Sequence, residues 1–266
     1  MAEERDLAIG GNRLHVRIEG RSDGPWLTLL HGAATNLHLW DPQIAFLAPI
    51  FRLLRIDVRG HGGSSADQPS TTFDELVADV IAVWDALGIE RSSVMGLSLG
   101  GMTGFGLAID HPDRINRLVA ADCRADAPDF FVESWRKRLG ILAERGMEGI
   151  ADVTIPIWMT EESRNGRPDI IAGAREMILT TSVAGYESVA KPLMTLDYKK
   201  NLARIRSPTL LVVGALDGPH PEEMRKMAEL IPGARLAIVE GAGHLSNFEQ
   251  PARFNEAVSA FLREGA

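Results

Sequence analysis

A serine between glycines can act as a nucleophile if the chain turns sharply enough to push its hydroxyl into the open. Residues 94–101 read Val94-Met95-Gly96-Leu97-Ser98-Leu99-Gly100-Gly101, so Gly96, Ser98 and Gly100 form a G-x-S-x-G core. An apolar run, Ser93–Leu97, leads into it and a helical pattern, Gly101–Ile109, leads out, which is the strand–turn–helix setting a nucleophile elbow requires. Side chains at the flanking glycines would collide with neighbouring elements, and the serine itself would hold a strained backbone. The following helix adds a positive N-terminal field beneath the reacting group. The plainer role for Ser98 is a helix cap, for which serine is favoured. Strand, turn, helix and partner residues together favour the nucleophile.

Such a serine needs a base and an acid, in the order serine, acid, histidine along the chain. Seven histidines are present, and His244 meets that order, in Gly241-Ala242-Gly243-His244 between the last strand and the last helix. His31 and His61 precede Ser98 in glycine-rich turns, where structural hydrogen bonding accounts for them. Two carboxylates compete for the acid. Asp217 follows the apolar strand Leu210–Val213, and Asp122 ends the strand Leu118–Ala121. Either could instead close a turn, as aspartate often does; chain order and loop position favour Asp217, with Asp122 as the alternative. The strand Trp26–Leu30 runs into His31-Gly32-Ala33-Ala34, a loop of the kind that presents a backbone N–H to an oxyanion. The expected donors are the amides of Ala33 and Leu99.

These residues need a scaffold. Apolar runs at Trp26–Leu30, Phe51–Val58, Ser93–Leu97, Leu118–Ala121, Leu210–Val213 and Leu236–Val239 read as buried strands. Phe73–Leu87, Gly101–Ile109, Glu222–Leu230 and Phe248–Leu262 carry helical spacing. The alternation predicts an α/β fold, a mainly parallel sheet with helices on both faces. Leu7–Glu19 reads as a hairpin around Gly10-Gly11-Asn12, supplying an antiparallel edge. Between Arg124 and Lys200 the rhythm breaks into helical patterns at Phe130–Arg145, Gly149–Ile155 and Ile170–Thr181, without a convincing strand. The expected organisation is a core of residues 1–123 and 201–266 with a helical cap, 124–200, over the carboxyl ends of the strands.

Composition bounds the partners. The chain has 266 residues and a net charge of −8, which disfavours nucleic acid and anionic membrane surfaces. No apolar run nears the roughly 20 residues of a membrane span. Cys123 is the single cysteine, so intrachain disulfides and multi-cysteine metal sites are excluded. With a charged start at Met1–Asp6 and no apolar leader, the expected location is the cytoplasm. Oligomeric state is not encoded in any pattern here.

The motifs resemble the α/β-hydrolase superfamily and, more narrowly, the 3-oxoadipate enol-lactonase-like group. The resemblance is carried by Asn36-Leu37-His38-Leu39-Trp40-Asp41-Pro42-Gln43, Asp57-Val58-Arg59-Gly60-His61-Gly62, Gly96-Leu97-Ser98-Leu99-Gly100-Gly101-Met102 and Gly243-His244-Leu245-Ser246-Asn247-Phe248-Glu249-Gln250-Pro251. It implies hydrolysis of a small ester or lactone, such as an aromatic-catabolism intermediate, through an acyl-enzyme, with no metal or organic cofactor. Some relatives carry the acid at the Asp122 position. In the cap, Trp135 is expected to give apolar contact, and Arg124 or Arg138 to pair with a substrate carboxylate, although most such arginines are solvated. Three other activities use the same scaffold: a carbon–carbon bond hydrolase acting on a diketone, a cofactor-free perhydrolase, and a receptor without catalysis. An intact Ser98, Asp217 and His244 set disfavours the last.

Overall fold

A computed structural model of the chain describes residues 2–65 and 71–264. Eight strands form one sheet: β1 (Glu3–Ile9), β2 (Asn12–Gly20), β3 (Trp26–Leu30), β4 (Arg52–Ile56), β5 (Ser92–Leu97), β6 (Ile115–Ala121), β7 (Thr209–Gly214) and β8 (Arg235–Val239). Their order is β1-β2-β4-β3-β5-β6-β7-β8. The first two junctions are antiparallel and the rest parallel. Ile9 pairs with Asn12 across Gly10 and Gly11, both at positive φ, so the hairpin expected from sequence closes on a two-residue turn that glycine alone adopts without strain. The outer strand β1 begins Glu3-Glu4-Arg5-Asp6, all exposed, and this charge discourages pairing with another chain.

Helices cover both faces: α1 (Asp41–Leu47), α2 (Phe73–Ala86), α3 (Leu99–Asp110), α4 (Asp129–Trp158), α5 (Glu161–Gly166), α6 (Pro168–Thr180), α7 (Val183–Met194), α8 (His220–Leu230), α9 (Ser246–Glu249) and α10 (Pro251–Arg263). Every residue of β5 and β7 is buried. That burial explains their uninterrupted apolar character. β8 departs from the expected buried strand. It is the far edge of the sheet, paired on one side only, and Ile238 is 40% exposed. Periodicity cannot distinguish an edge strand from a central one.

Helices α4–α7 form the insertion between β6 and β7. α4 bends at Gly146, whose φ of 60° and ψ of −158° leave the helical region, dividing it where the two expected helical patterns divide. α7 was not evident in the sequence because Gly185 and Pro192 punctuate it. Gly185 is there for clearance: a Cβ would lie 1.9 Å from the carbonyl oxygen of Gly60. Ser182 caps the helix, accepting from Gly185 N–H at 2.9 Å. Among the described residues, no helix is long and apolar enough to cross a membrane.

Candidate active site

Ser98 sits at the turn between β5 and α3 with φ 53° and ψ −115°, a region a side-chain-bearing residue enters at a cost of order 1–3 kcal/mol. Packing on both sides enforces the turn. A Cβ on Gly96 would lie 2.2 Å from the Gly100 carbonyl oxygen, and one on Gly100 would lie 2.1 Å from that of Leu30. The Ser98 N–H donates to Ala121 O at 2.8 Å. Although Ser98 occupies the cap position of α3, its hydroxyl makes no capping hydrogen bond. It opens instead into a cavity of about 210 Å³ between the sheet's carboxyl edge and the insertion.

The same cavity is lined by Asp217 and His244. His244 Nδ1 donates to Asp217 Oδ2 at 2.9 Å, both residues being buried. Burial opposes ionisation of Asp217, but the adjoining imidazoles outweigh it and hold the carboxyl below the usual range. The histidine loop is pinned from several directions. His244 N–H donates to Trp158 O at 2.8 Å. Glu249 accepts from Gly243 N–H at 2.6 Å and, through its other oxygen, from the Thr160 amide and hydroxyl at 2.8 Å each.

Asp122 meets different groups. Its Oδ1 accepts from Gly214 N–H at 2.8 Å and its Oδ2 from the Ser246 hydroxyl, and the side chain is fully buried. It thus joins the ends of β6 and β7 to the segment after His244, without contacting the imidazole. Burial, and then the charge of Asp217, push its carboxyl pKa well up.

The loop after β3 lies against the turn at Ser98, since a Cβ on Gly32 would be 3.4 Å from the Cβ of Ser98. Ala33 lines the cavity, and the Leu99 amide belongs to the first turn of α3, where backbone donors lack intrahelical partners. His31 holds this loop: Nε2 accepts from Val58 N–H at 2.9 Å while Nδ1 donates to Gly32 O at 2.7 Å. That requires a neutral ring, and burial indeed pushes His31 down to about 4. Asp57 accepts from Leu37 N–H at 2.7 Å and Gly63 N–H at 2.8 Å. The Asp57–Gly62 motif therefore serves the scaffold.

The insertion closes the cavity. Trp135 is buried against Tyr186, ring centroids 5.4 Å apart, and both line it. Arg138 lies over the Trp135 ring at 5.3 Å, lines the cavity and has no carboxylate partner among the described residues. Arg124, the other arginine expected to meet substrate, is 2% exposed and already engaged. Its Nε donates to Asp126 O at 2.6 Å and its Nη2 lies 3.2 Å from Glu223. His220 was missed in the sequence. It lines the cavity and brings Nδ1 to 3.3 Å from Asp217 Oδ2. A larger open groove of about 760 Å³, touching His15, Asp57 and Met177, is not lined by Ser98, Asp217, His220 or His244.

This geometry matches known proteins. The model of the alpha/beta hydrolase family matches residues 29–257. The chain is 33% identical over 251 residues to 3-oxoadipate enol-lactonase 2 of Acinetobacter baylyi, covering 94% of this chain and 93% of that protein. It is 29% identical to a carboxylesterase of Bacillus subtilis, covering 95% and 85% respectively. The crystal structure of the enol-lactonase from Burkholderia xenovorans superposes with a TM-score of 0.94 at 35% identity, covering 98% of this chain and 100% of the other. A mainly parallel sheet with a tight strand-to-helix turn at Ser98, a helical insertion over it, and relatives of a third identity along nearly the whole length have one reading: the chain belongs to the alpha/beta hydrolase family.

Proposed function

We propose that this protein is a serine hydrolase that cleaves a small carboxylic ester or lactone through an acyl-enzyme, with the insertion 124–200 acting as the cap. The observation that carries the proposal is the 2.9 Å bond from His244 Nδ1 to Asp217 Oδ2, in the cavity onto which Ser98 opens. With Nδ1 donating, Nε2 is the nitrogen free to accept a proton. Ser98 Oγ attacks the substrate carbonyl carbon as its proton passes to Nε2 of His244. Asp217 holds the tautomer and stabilises the imidazolium. The amides of Leu99 and Ala33 receive the oxyanion, each such donor being worth about 3–4 kcal/mol. His244 returns the proton to the departing oxygen, which in a lactone stays tethered to the acyl group. Water, deprotonated by His244, then attacks the acyl carbon and releases Ser98. Every step uses protein groups, so no cofactor is required.

Size and charge narrow the substrate. A space of about 210 Å³ holds a small acyl group, with Trp135 and Tyr186 as its apolar wall. Arg138, without a carboxylate partner among the described residues, is suited to pair with a carboxylate on the substrate. Arg124 is the weaker candidate because Glu223 and Asp126 balance its charge. The relatives named as an enol-lactonase and a carboxylesterase support this class. The fully buried Cys123 suits a reducing compartment, and we place the protein in the cytoplasm. A panel of small lactones and esters, each with and without a distal carboxylate, tests the reading. Ester and lactone hydrolysis is expected, and Arg138→Gln should raise KM for the anionic members alone. Cleavage of diketones but of no ester would overturn it.

A further inference from the structure

Two imidazoles converge on one carboxylate oxygen. His220 opens α8, and its Nδ1 lies 3.3 Å from Asp217 Oδ2 and 3.2 Å from the Asp217 carbonyl oxygen. His244 Nδ1 reaches the same Oδ2 at 2.9 Å. The rings stand 5.4 Å apart between centroids, tilted by 49°. Asp217, His220 and His244 thus form a three-membered group rather than a pair with a bystander. Nothing in the proposed chemistry uses His220.

We infer that His220 is a positioning residue that shares Asp217 with His244 and lowers the pH at which the site becomes active. The inference rests on Ser98, His244 and Asp217 acting as proposed above. A carboxylate oxygen that faces two rings at this range is a poorer partner for each. When His220 is protonated, its charge also opposes a second charge on His244 at this short range. Both effects make the His244 imidazolium harder to form.

The surroundings allow His220 to carry that charge. The groups facing it are Asp217 on its own loop, Glu223 on its own helix, Arg124 from the end of β6 and His244 from the loop after β8. Burial and Arg124 oppose its protonation. The hydrogen bond and charge of Asp217, with Glu223 behind it, outweigh them and hold the imidazole above its ordinary value.

The test is the acid limb of kcat/KM for a neutral ester, p-nitrophenyl acetate, between pH 4.5 and 9. His220→Asn removes the charge and keeps a neutral N–H donor near the Nδ1 position. Its half-activity point should move up by roughly half a pH unit or more. His220→Phe, which removes the donor as well, should move at least as far, and either folded variant decides the matter. An unmoved or lowered limb, including a rise in KM with no pH shift, overturns the inference. Labelling the same preparations with an organophosphonate separates the two ideas. Ser98 modification with an unmoved limb rejects only the role of His220, whereas no modification of Ser98 rejects the underlying mechanism.

Discussion

The backbone N–H of His244 donates to the carbonyl of Trp158 at 2.8 Å, and the two rings lie nearly parallel, 24° between planes with centroids 6.3 Å apart. Trp158 is the last residue of α4, so the insertion does more than roof the cavity. It holds the segment carrying His244. Two tryptophans of one helix should therefore differ in effect. Trp158→Ala should lower kcat/KM about tenfold on every substrate, because a loosened histidine costs orientation. Trp135→Ala should change the ranking of substrates and leave the reaction of Ser98 with a small phosphonate nearly unchanged. Equal losses in both measurements for Trp135→Ala would make it a packing residue.

The two aspartates make an equally direct contrast. Asp217→Asn should cost about 10⁴-fold in kcat by favouring the wrong imidazole tautomer, with the fold intact. Asp122→Asn replaces a side chain that ties Gly214 N–H and Ser246 across the strand ends. It should chiefly lower the unfolding midpoint, by the equivalent of about 1–3 kcal/mol, and reduce kcat far less. Steady-state kinetics beside urea unfolding checks both. The reverse pattern would move the acid role to Asp122.

Acid stability follows from the histidines beneath the loop after β3. Burial pushes His31 down to about 4, and burial together with neighbouring His31 pushes His61 down to about 3. In the unfolded chain each titrates near 6.5. Below that value the unfolded state binds the extra protons, so this contribution is complete above about pH 6.5. It is lost as pH falls toward 4, at up to about 1.4 kcal/mol per pH unit for each ring. Urea unfolding at pH 7.5, 6 and 5 should show a falling midpoint, flattened in His61→Asn. A constant midpoint would contradict the buried, neutral assignment.

What could be read from the sequence was what local chemistry fixes. Ser98, Asp217 and His244 each follow the end of a strand, and the parallel sheet brings those ends to one edge, so chain order alone grouped them. The paired positive φ values at Gly10 and Gly11, and the break in α4 at Gly146, also came from residue type. What could not be read depends on tertiary partners. His220 looks like an ordinary first-turn residue beside Pro221, and only the path of the loop from Gly214 turns its ring onto Asp217. Arg124 and Arg138 are indistinguishable in composition. They differ because Glu223, 99 positions further on, reaches the first. Gly185 appeared to break a helix, when it clears space for Gly60.

The central claim is that Ser98 forms a covalent bond with the substrate acyl group, and intact-mass and peptide mass spectrometry after treatment with a serine-directed phosphonate test it most directly. One adduct per chain is expected, on the peptide containing Ser98. Ser98→Ala should give no adduct, and its kcat should fall by about 10⁴–10⁶-fold in a folded protein. An adduct on another residue, or ester hydrolysis at the parental rate by Ser98→Ala, would contradict it.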